Sequence, residues 1–375
     1  MALEKFRKRS AGPDYLLIIV IFALIIFGLV MVYAASAYTA EKTYGVSSYF
    51  FKKQFVAFIV GIVMWLIFSK IDYNFWKKNA FILLIITIIL LVAVFIPGIG
   101  INASGASRWL DVGFTQIQPA EIAKLFFIIY LSAWLSKKGD GIRDFKGGFI
   151  PFVSILALIS LLIIKQPDMG TMSIIAIVSF IMFIVAGASW AHIITGVGLG
   201  LSFLLILIKS APYRFQRLMT FLNPTSDSLG ASYHINQSLI AIGTGGLLGL
   251  GFGQSKQKLF YLPEAQTDSL FAIITEELGF FRAMLVILVF VFIAYRGLKI
   301  AKNAPDDFSR LLVVGITSWI IIQAFLNLSA MLGLVPLTGI PLPFISYGGT
   351  SLVVLLMATG ILTNISKQAN RQSNN

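Results

Sequence analysis

Residues 261–281 read YLPEAQTDSLFAIITEELGFF. The stretch is polar where it starts and becomes the first third of a long apolar run. Glu264 and Asp268 stand four apart and share a face if the segment is helical. Glu276 and Glu277 follow two turns later, inside a run apolar enough to cross a membrane. Carboxylates at that depth are costly and face a cavity or a partner. The stretch therefore reads as a carboxylate site at a membrane boundary, fed by the loop before it.

Composition supports the membrane half of that reading. The 375 residues are 58% hydrophobic and 12% charged, against roughly 45–50% and about 25% in soluble domains. Several runs reach the ~20 apolar residues that span a bilayer, and the short alternating segments of a membrane β-barrel do not occur. The fold class is an all-α polytopic membrane protein. The chain has no cysteine, which excludes disulfides, thiolate metal sites and a thiol nucleophile. Its two histidines, His192 and His234, are too far apart in sequence for a His-rich metal motif. Any metal would be a hard cation on oxygen ligands.

The apolar runs predict ten spans, at about 15–37, 49–69, 79–97, 117–135, 149–164, 171–187, 191–208, 270–295, 311–332 and 347–366. Together they make one transmembrane domain over 15–366, between tails 1–14 and 367–375. Lys5, Arg7, Lys8 and Arg9 precede an apolar run that ends in Ala35-Ser36-Ala37, which mimics a signal-peptidase site. The run from Tyr15 to Tyr33 is too long for a signal peptide and reads as a retained first span. An even number of spans puts both termini on one side. With that side taken as cytoplasmic, its loops and tails carry seventeen Lys and Arg, against five in the opposite short loops. Both termini are thus expected in the cytoplasm. The net charge of +13 reports topology, and no nucleic-acid partner is expected. No internal repeat of the transporter kind is visible.

One connection, residues 209–269 between the seventh and eighth spans, is far longer than the rest. Connections of that length are functional when they are ordered. This one carries Arg214 and Arg217, the turn Asn223-Pro224-Thr225, and an apolar glycine-rich piece over 237–253 (QSLIAIGTGGLLGLGFG). Lys256 and Lys258 then lead into the opening stretch. An apolar glycine-rich piece outside a span is expected to lie in the interface or dip into the membrane, where protein must satisfy its backbone.

Three further polar islands interrupt the apolar pattern. In residues 102–124, Pro119 and Glu121 suit the first turn of the fourth span. Glu121 and Lys124, three apart, can pair within the membrane. Such a pair either locks helices together or serves a substrate. Arg108, just before, is a surface residue or an anion clamp suited to a diphosphate. In KQPDMGT (165–171) Asp168 is expected to cap the sixth span. In residues 327–351 three prolines and several glycines force irregular backbone near the ninth and tenth spans. That irregular backbone is either a rigid turn or a cavity wall offering Ser346. Gly196 and Gly200 form a GxxxG suited to helix packing. Arg282, alone in an apolar span, is expected to pair with a glutamate.

These islands resemble the SEDS family of bacterial cell-wall synthases over essentially the whole chain. The residues that carry the likeness are Asn327, Gly333-Leu334-Val335-Pro336, Gly339-Ile340 and Phe344-Ile345-Ser346-Tyr347-Gly348-Gly349-Thr350-Ser351. Also matching are Gly105-Ala106-Ser107-Arg108-Trp109, Gln118-Pro119-Ala120-Glu121 with Lys124, Gln166-Pro167-Asp168-Met169-Gly170-Thr171, and Tyr261-Leu262-Pro263-Glu264 with Thr267-Asp268. The run Gly253-Gln254-Ser255-Lys256-Gln257-Lys258 looks closer to the division branch than to the elongation branch. Departures are Gln266 where a histidine is common, Ser269 where an aromatic is common, and Phe281-Arg282-Ala283 in place of a glycine-containing segment.

The resemblance implies a peptidoglycan glycosyltransferase that polymerises lipid II at the outer face of the bacterial cytoplasmic membrane, at the division septum. It implies a class B penicillin-binding transpeptidase and other divisome membrane proteins as partners. The family's essential aspartate corresponds to Asp268 and its intramembrane pair to Glu121 and Lys124. Asp268 is then the candidate general base for an acceptor sugar hydroxyl. Arg108, Lys124, Arg214, Arg217, Lys256 and Lys258 are candidates to stabilise diphosphate charge. Asp268 and Glu264 could hold Mg²⁺ or another divalent cation. A lipid II flippase, which makes no bonds, is the competing expectation.

Overall fold

In the computed structural model the described residues are 12–103, 106–113, 115–223, 232–259 and 261–372. The basic cluster Lys5, Arg7, Lys8 and Arg9, together with Gly105, Pro224 and Thr225, lies outside them. The helices are α1 (Tyr15–Tyr44), α2 (Tyr49–Lys70), α3 (Tyr73–Ala93), α4 (Pro119–Lys138), α5 (Ile150–Ile164), α6 (Met169–Val185), α7 (Trp190–Lys209), α8 (Pro212–Leu222), α9 (Tyr233–Gly245), α10 (Leu270–Lys302), α11 (Asp307–Met331) and α12 (Gly349–Gln372). Nine helical segments among the described residues are long and apolar enough to cross a membrane, and α6, at 17 residues, is the shorter tenth. The chain is an all-α polytopic membrane protein.

Local chemistry sets where these helices begin. Asp14, Asp72, Asp168 and Ser189 accept hydrogen bonds from first-turn amides of α1, α3, α6 and α7. Asp306 and Ser309 close a reciprocal capping box on α11. Pro119 opens α4 where its missing N–H costs nothing. The centre of the bundle is α4, α11 and α12, whose apolar windows are 67%, 72% and 78% buried, whereas α2 and α7 bury 11% and 17%. The outer helices thus turn apolar side chains such as Ile194 and Leu205 outward, as lipid contact allows. Of the GxxxG pair, Gly196 packs against Phe180 and Phe149, while Gly200 faces open space.

Two features depart from the sequence reading. A small antiparallel sheet, β1 (Gly100–Ala103), β2 (Ala106–Asp111) and β3 (Gln116–Ile117), lies between α3 and α4. Its strands are too short for a period-2 pattern to register. The segment 261–269 is a run of turns, with Glu264 at φ 50°, so Glu264 and Asp268 are not neighbours on a helix face. The amides of Thr267 and Ser269 fold back onto the Glu264 carbonyl at 3.0 and 3.3 Å.

The long connection holds α8 and α9, and then dips back against a broken α10. Gly279 sits at φ 81°, ψ 173° inside that helix, a conformation essentially restricted to glycine. The carbonyls of Glu276 and Glu277 accept from Leu250 and Gly251 amides, both at 3.0 Å. In return the amides of Phe280 and Phe281 donate to Gly246 and Leu247 carbonyls at 2.9 and 3.4 Å. The glycine-rich loop thus satisfies the helix break, and the break satisfies the loop, as backbone away from water requires. A Cβ on Gly279 would collide with Gly249 backbone, and one on Gly249 with the Glu277 carbonyl. Gly279→Ala should therefore lose at least about 1–3 kcal/mol from backbone strain alone, read as a lower melting temperature in detergent.

The same break explains Arg282. Among the described residues it pairs with no glutamate. Its guanidinium donates to the carbonyls of Leu248 and Leu278 at 3.0 and 3.1 Å. Glu276 and Glu277 point instead into residues 253–258. Glu277 accepts from the Gly253 amide at 3.0 Å and from Lys258 Nζ at 2.8 Å. Glu276 accepts from the Lys256 amide at 3.1 Å and from the Ser255 hydroxyl.

Candidate functional site

Asp268 lies at the end of the run of turns, next to the α10 cap Ser269, and is 8% exposed. The Thr267 hydroxyl bridges two carboxylates, lying 2.9 Å from Glu264 Oε2 and 3.4 Å from Asp268 Oδ1. Burial, and then the charge of Glu264, push the Asp268 carboxyl up to about 6, while the Thr267 hydroxyl and Arg217 pull the other way. A carboxyl poised there exchanges a proton readily near neutral pH.

The backbone around Asp268 is pinned from three directions. Asn327 Nδ2, on α11, donates to the Asp268 carbonyl at 2.7 Å and to the Ile340 carbonyl at 2.8 Å. The Tyr347 amide donates to the Gln266 carbonyl at 2.9 Å. The Ser269 hydroxyl lies 2.9 Å from the Pro263 carbonyl and 2.6 Å from His234 Nε2, on α9. A carbonyl only accepts, so Ser269 spends its proton on Pro263 and His234 Nε2 is the donor to Ser269. Burial and the positive charge of Arg217 lower the His234 pKa to about 4, so the ring is neutral and has that proton to give. The proline-rich segment completes the wall: a Cβ on Gly339 would stand 4.0 Å from Asp268 Oδ2.

The other expected site residues divide by what holds them. Arg217 is exposed and, among the described residues, donates to the Leu337 carbonyl at 3.3 Å. Its charge reaches both Asp268 and His234. Lys256 is anchored by its amide while its side chain is exposed. Four others are occupied by the protein. Arg214 is buried and donates to the Leu207 carbonyl at 3.2 Å, closing the end of α7. Lys258 is ion-paired to Glu277. Arg108 donates to the carbonyls of Gln166 and Pro167, tying β2 to the α5–α6 turn. The Ser346 hydroxyl accepts from the Leu342 amide at 3.0 Å inside a buried turn. Asp168 caps α6 through the Thr171 amide at 2.9 Å.

Glu121 and Lys124 do pair, at 2.8 Å, with side chains 4% and 1% exposed. Lys124 also donates to Gln323 Oε1 at 2.8 Å and lies 5.0 Å from the centre of the Trp319 ring. Sequence reading passed over Gln323 and His234. The signal for Gln323 was present, because Trp319, Gln323 and Asn327 recur at i, i+4 in an apolar span.

Asp268 and Glu264 are two hard oxygen donors. Among the described residues no group of three or more His, Cys, Asp or Glu side chains could hold a metal ion. Two carboxylates suit Mg²⁺ when substrate phosphates complete its shell.

Residues 14–371 match the family described as cell cycle protein, FtsW/RodA/SpoVE. The stage V sporulation protein E of Bacillus subtilis (strain 168) is 44% identical over 359 residues, covering 96% of this chain and 98% of the relative. A protein of Trichlorobacter lovleyi named probable peptidoglycan glycosyltransferase FtsW is 42% identical over 366 residues, covering 97% and 96%. Among solved structures, a chain of a peptidoglycan synthase complex that coordinates polymerisation and crosslinking superposes with TM-score 0.78 at 23% identity, covering 95% of this chain and 98% of that one. The rod shape determining protein RodA of Thermus thermophilus gives TM-score 0.69 at 22% identity, covering 95% and 97%. The last two comparisons establish a shared fold.

Proposed function

The chain belongs to the FtsW/RodA/SpoVE family of cell cycle proteins, and on that premise we propose that it is a peptidoglycan glycosyltransferase that polymerises lipid II. The observation that carries this is Asp268: a buried carboxyl with a raised pKa, within reach of the charge of Arg217, where the long connection meets the bundle. In the reaction the acceptor sugar's 4-hydroxyl attacks the anomeric carbon of the lipid-linked donor. Asp268 takes the hydroxyl proton as the new C–O bond forms, and the anomeric C–O bond to the diphosphate breaks. The polyprenyl diphosphate leaves with the electron pair, and Arg217 and Lys256 would stabilise its charge. One direct displacement inverts the anomeric centre and needs no enzyme nucleophile. Asp268 and Glu264 would hold a divalent cation, which would neutralise diphosphate charge. Chelation with EDTA followed by Mg²⁺ add-back tests that role.

The deciding assay gives the purified protein labelled lipid II, with and without its transpeptidase. Glycan polymer supports the enzyme, while label that changes leaflet without polymer supports the flippase. The base must be unprotonated, so the rate should fall tenfold per unit below about pH 6 and level off above it. Glu264→Gln removes the neighbouring negative charge and should move that limb to lower pH. Initial rates across the pH range check both statements.

The positive-inside asymmetry supports cytoplasmic termini and a site on the outer face. The chain has no cysteine, so a single cysteine placed at Lys256 should react in whole spheroplasts with a reagent that does not cross membranes. Labelling only after lysis would reverse the orientation. The partner we propose is a class B penicillin-binding transpeptidase, with other divisome proteins around it; a chain of the same fold sits in a synthase complex that coordinates polymerisation and crosslinking. The septal role predicts that depletion gives undivided filaments. Normal division with a sporulation defect would align the chain with its sporulation relative instead.

A further inference from the structure

We propose that Gln323 is a positioning residue for the transfer reaction, joining the buried Glu121–Lys124 pair to the segment on which Asp268 rests. The inference rests on Asp268 being the base. Gln323 lies within α11, fully buried. Its Oε1 accepts from Lys124 Nζ and from Trp319 Nε1, both at 2.8 Å, and its Nε2 donates to the Pro341 carbonyl at 3.0 Å. The amide cannot flip: lysine and indole only donate, and a carbonyl only accepts.

One turn along α11, Asn327 holds the next carbonyl, Ile340, and with the same amide group holds the carbonyl of Asp268. Pro341 and Pro343 have no N–H, so this segment has few donors with which to anchor itself. Two α11 amides, four residues apart, grip its consecutive carbonyls. Gly339, the residue before, faces the Asp268 carboxylate. A shift of Pro341 is therefore passed to Ile340, Asn327 and Asp268.

This gives the ion pair a task without contact with substrate. Lys124 makes polar contacts with Glu121 and Gln323 and is 1% exposed. The pair fixes an ammonium against Gln323 Oε1, which aims Nε2 at Pro341. A network of this kind holds a unique geometry only while its members stay paired.

Gln323→Glu and Gln323→Leu, in the full-length purified protein, separate positioning from packing. Glutamate keeps the volume and the acceptor for Lys124 and Trp319, but sets an oxygen against the Pro341 carbonyl. Leucine removes both ends. Each variant is expected to lower kcat by about tenfold to a hundredfold, the scale of a displacement near 1 Å. KM should change less than about twofold, because substrate contacts remain. Melting of Gln323→Glu is expected below that of the parent protein, with the variant still folded at the assay temperature. A folded Gln323→Glu with the parent's kcat overturns the proposal. So does failure of both variants to fold, which would make Gln323 a stability residue only. Asp268→Asn is measured alongside. If that variant polymerises normally, the base assignment itself fails. If it is inactive and Gln323→Glu is normal, only the positioning role fails.

Discussion

Asp268→Asn is expected to lower glycan polymerisation by about 10²–10⁴-fold, the range that a positioned base contributes, without loss of folded protein. Asparagine keeps the shape of the side chain and an oxygen for the Thr267 hydroxyl, but cannot take a proton. The stability effect should have the opposite sign. Burial and Glu264 raise the Asp268 pKa from 3.8 to about 6, so the native state binds this proton more tightly than the unfolded chain does. The carboxylate therefore costs stability, and the cost grows as pH rises from about 4 to about 6 and is constant above. Two pKa units correspond to about 3 kcal/mol, which the neutral amide removes. At pH 7 the variant should melt at or above the parent temperature while making almost no polymer from labelled lipid II. Below pH 4, where the parent's acid is already protonated, the two should melt together. A polymerisation rate within about threefold of the parent would remove Asp268 from the role of base. A large drop in melting temperature at pH 7 would instead show that the carboxylate is structural.

That pairing of lost activity with gained stability also marks what sequence alone could show. The spans were legible because crossing a bilayer is a local demand, met by runs of apolar residues. Asp268 and the Glu121–Lys124 pair stood out because charge is rare against that background. The broken helix did not stand out, because Gly279 looks like any glycine tolerated in a span. Only the approach of Gly249, thirty residues earlier in the chain, makes its φ of 81° necessary. Arg282 was misread for the same reason, since its acceptors are carbonyls at that break. Lys258 and Arg214 looked like anion binders in a basic loop. Glu277 and the end of α7, which hold them, are contacts that spacing does not encode. Glu276 and Glu277 were legible as costly carboxylates, but their partners, the amides of 253–256 and Lys258, are tertiary.

Lys124→Met is expected to destabilise the protein by about 3–5 kcal/mol, because it strands a buried carboxylate. Glu121 Oε2 already lacks a hydrogen-bond partner, and the substitution removes the ammonium from Oε1 as well. Gln323 would keep only the Trp319 N–H at its oxygen. The double variant Glu121→Leu with Lys124→Met removes both charges together, and replacing a buried pair by apolar groups is neutral or stabilising in many proteins. It should recover most of the lost melting temperature. Its kinetics then decide what the pair is for. A lysine that binds the donor diphosphate would, when lost, raise KM for lipid II. A lysine that acts through Gln323 would, when lost, lower kcat and leave KM within about twofold. Burial favours the second outcome, since a side chain 1% exposed, held between Glu121, Gln323 and the Trp319 ring, presents no donor to the site. The double variant is therefore expected to fold, to bind lipid II as the parent does, and to polymerise it more slowly. A rise in KM of tenfold or more in that folded variant would put Lys124 on the substrate and detach the ion pair from the positioning of Asp268.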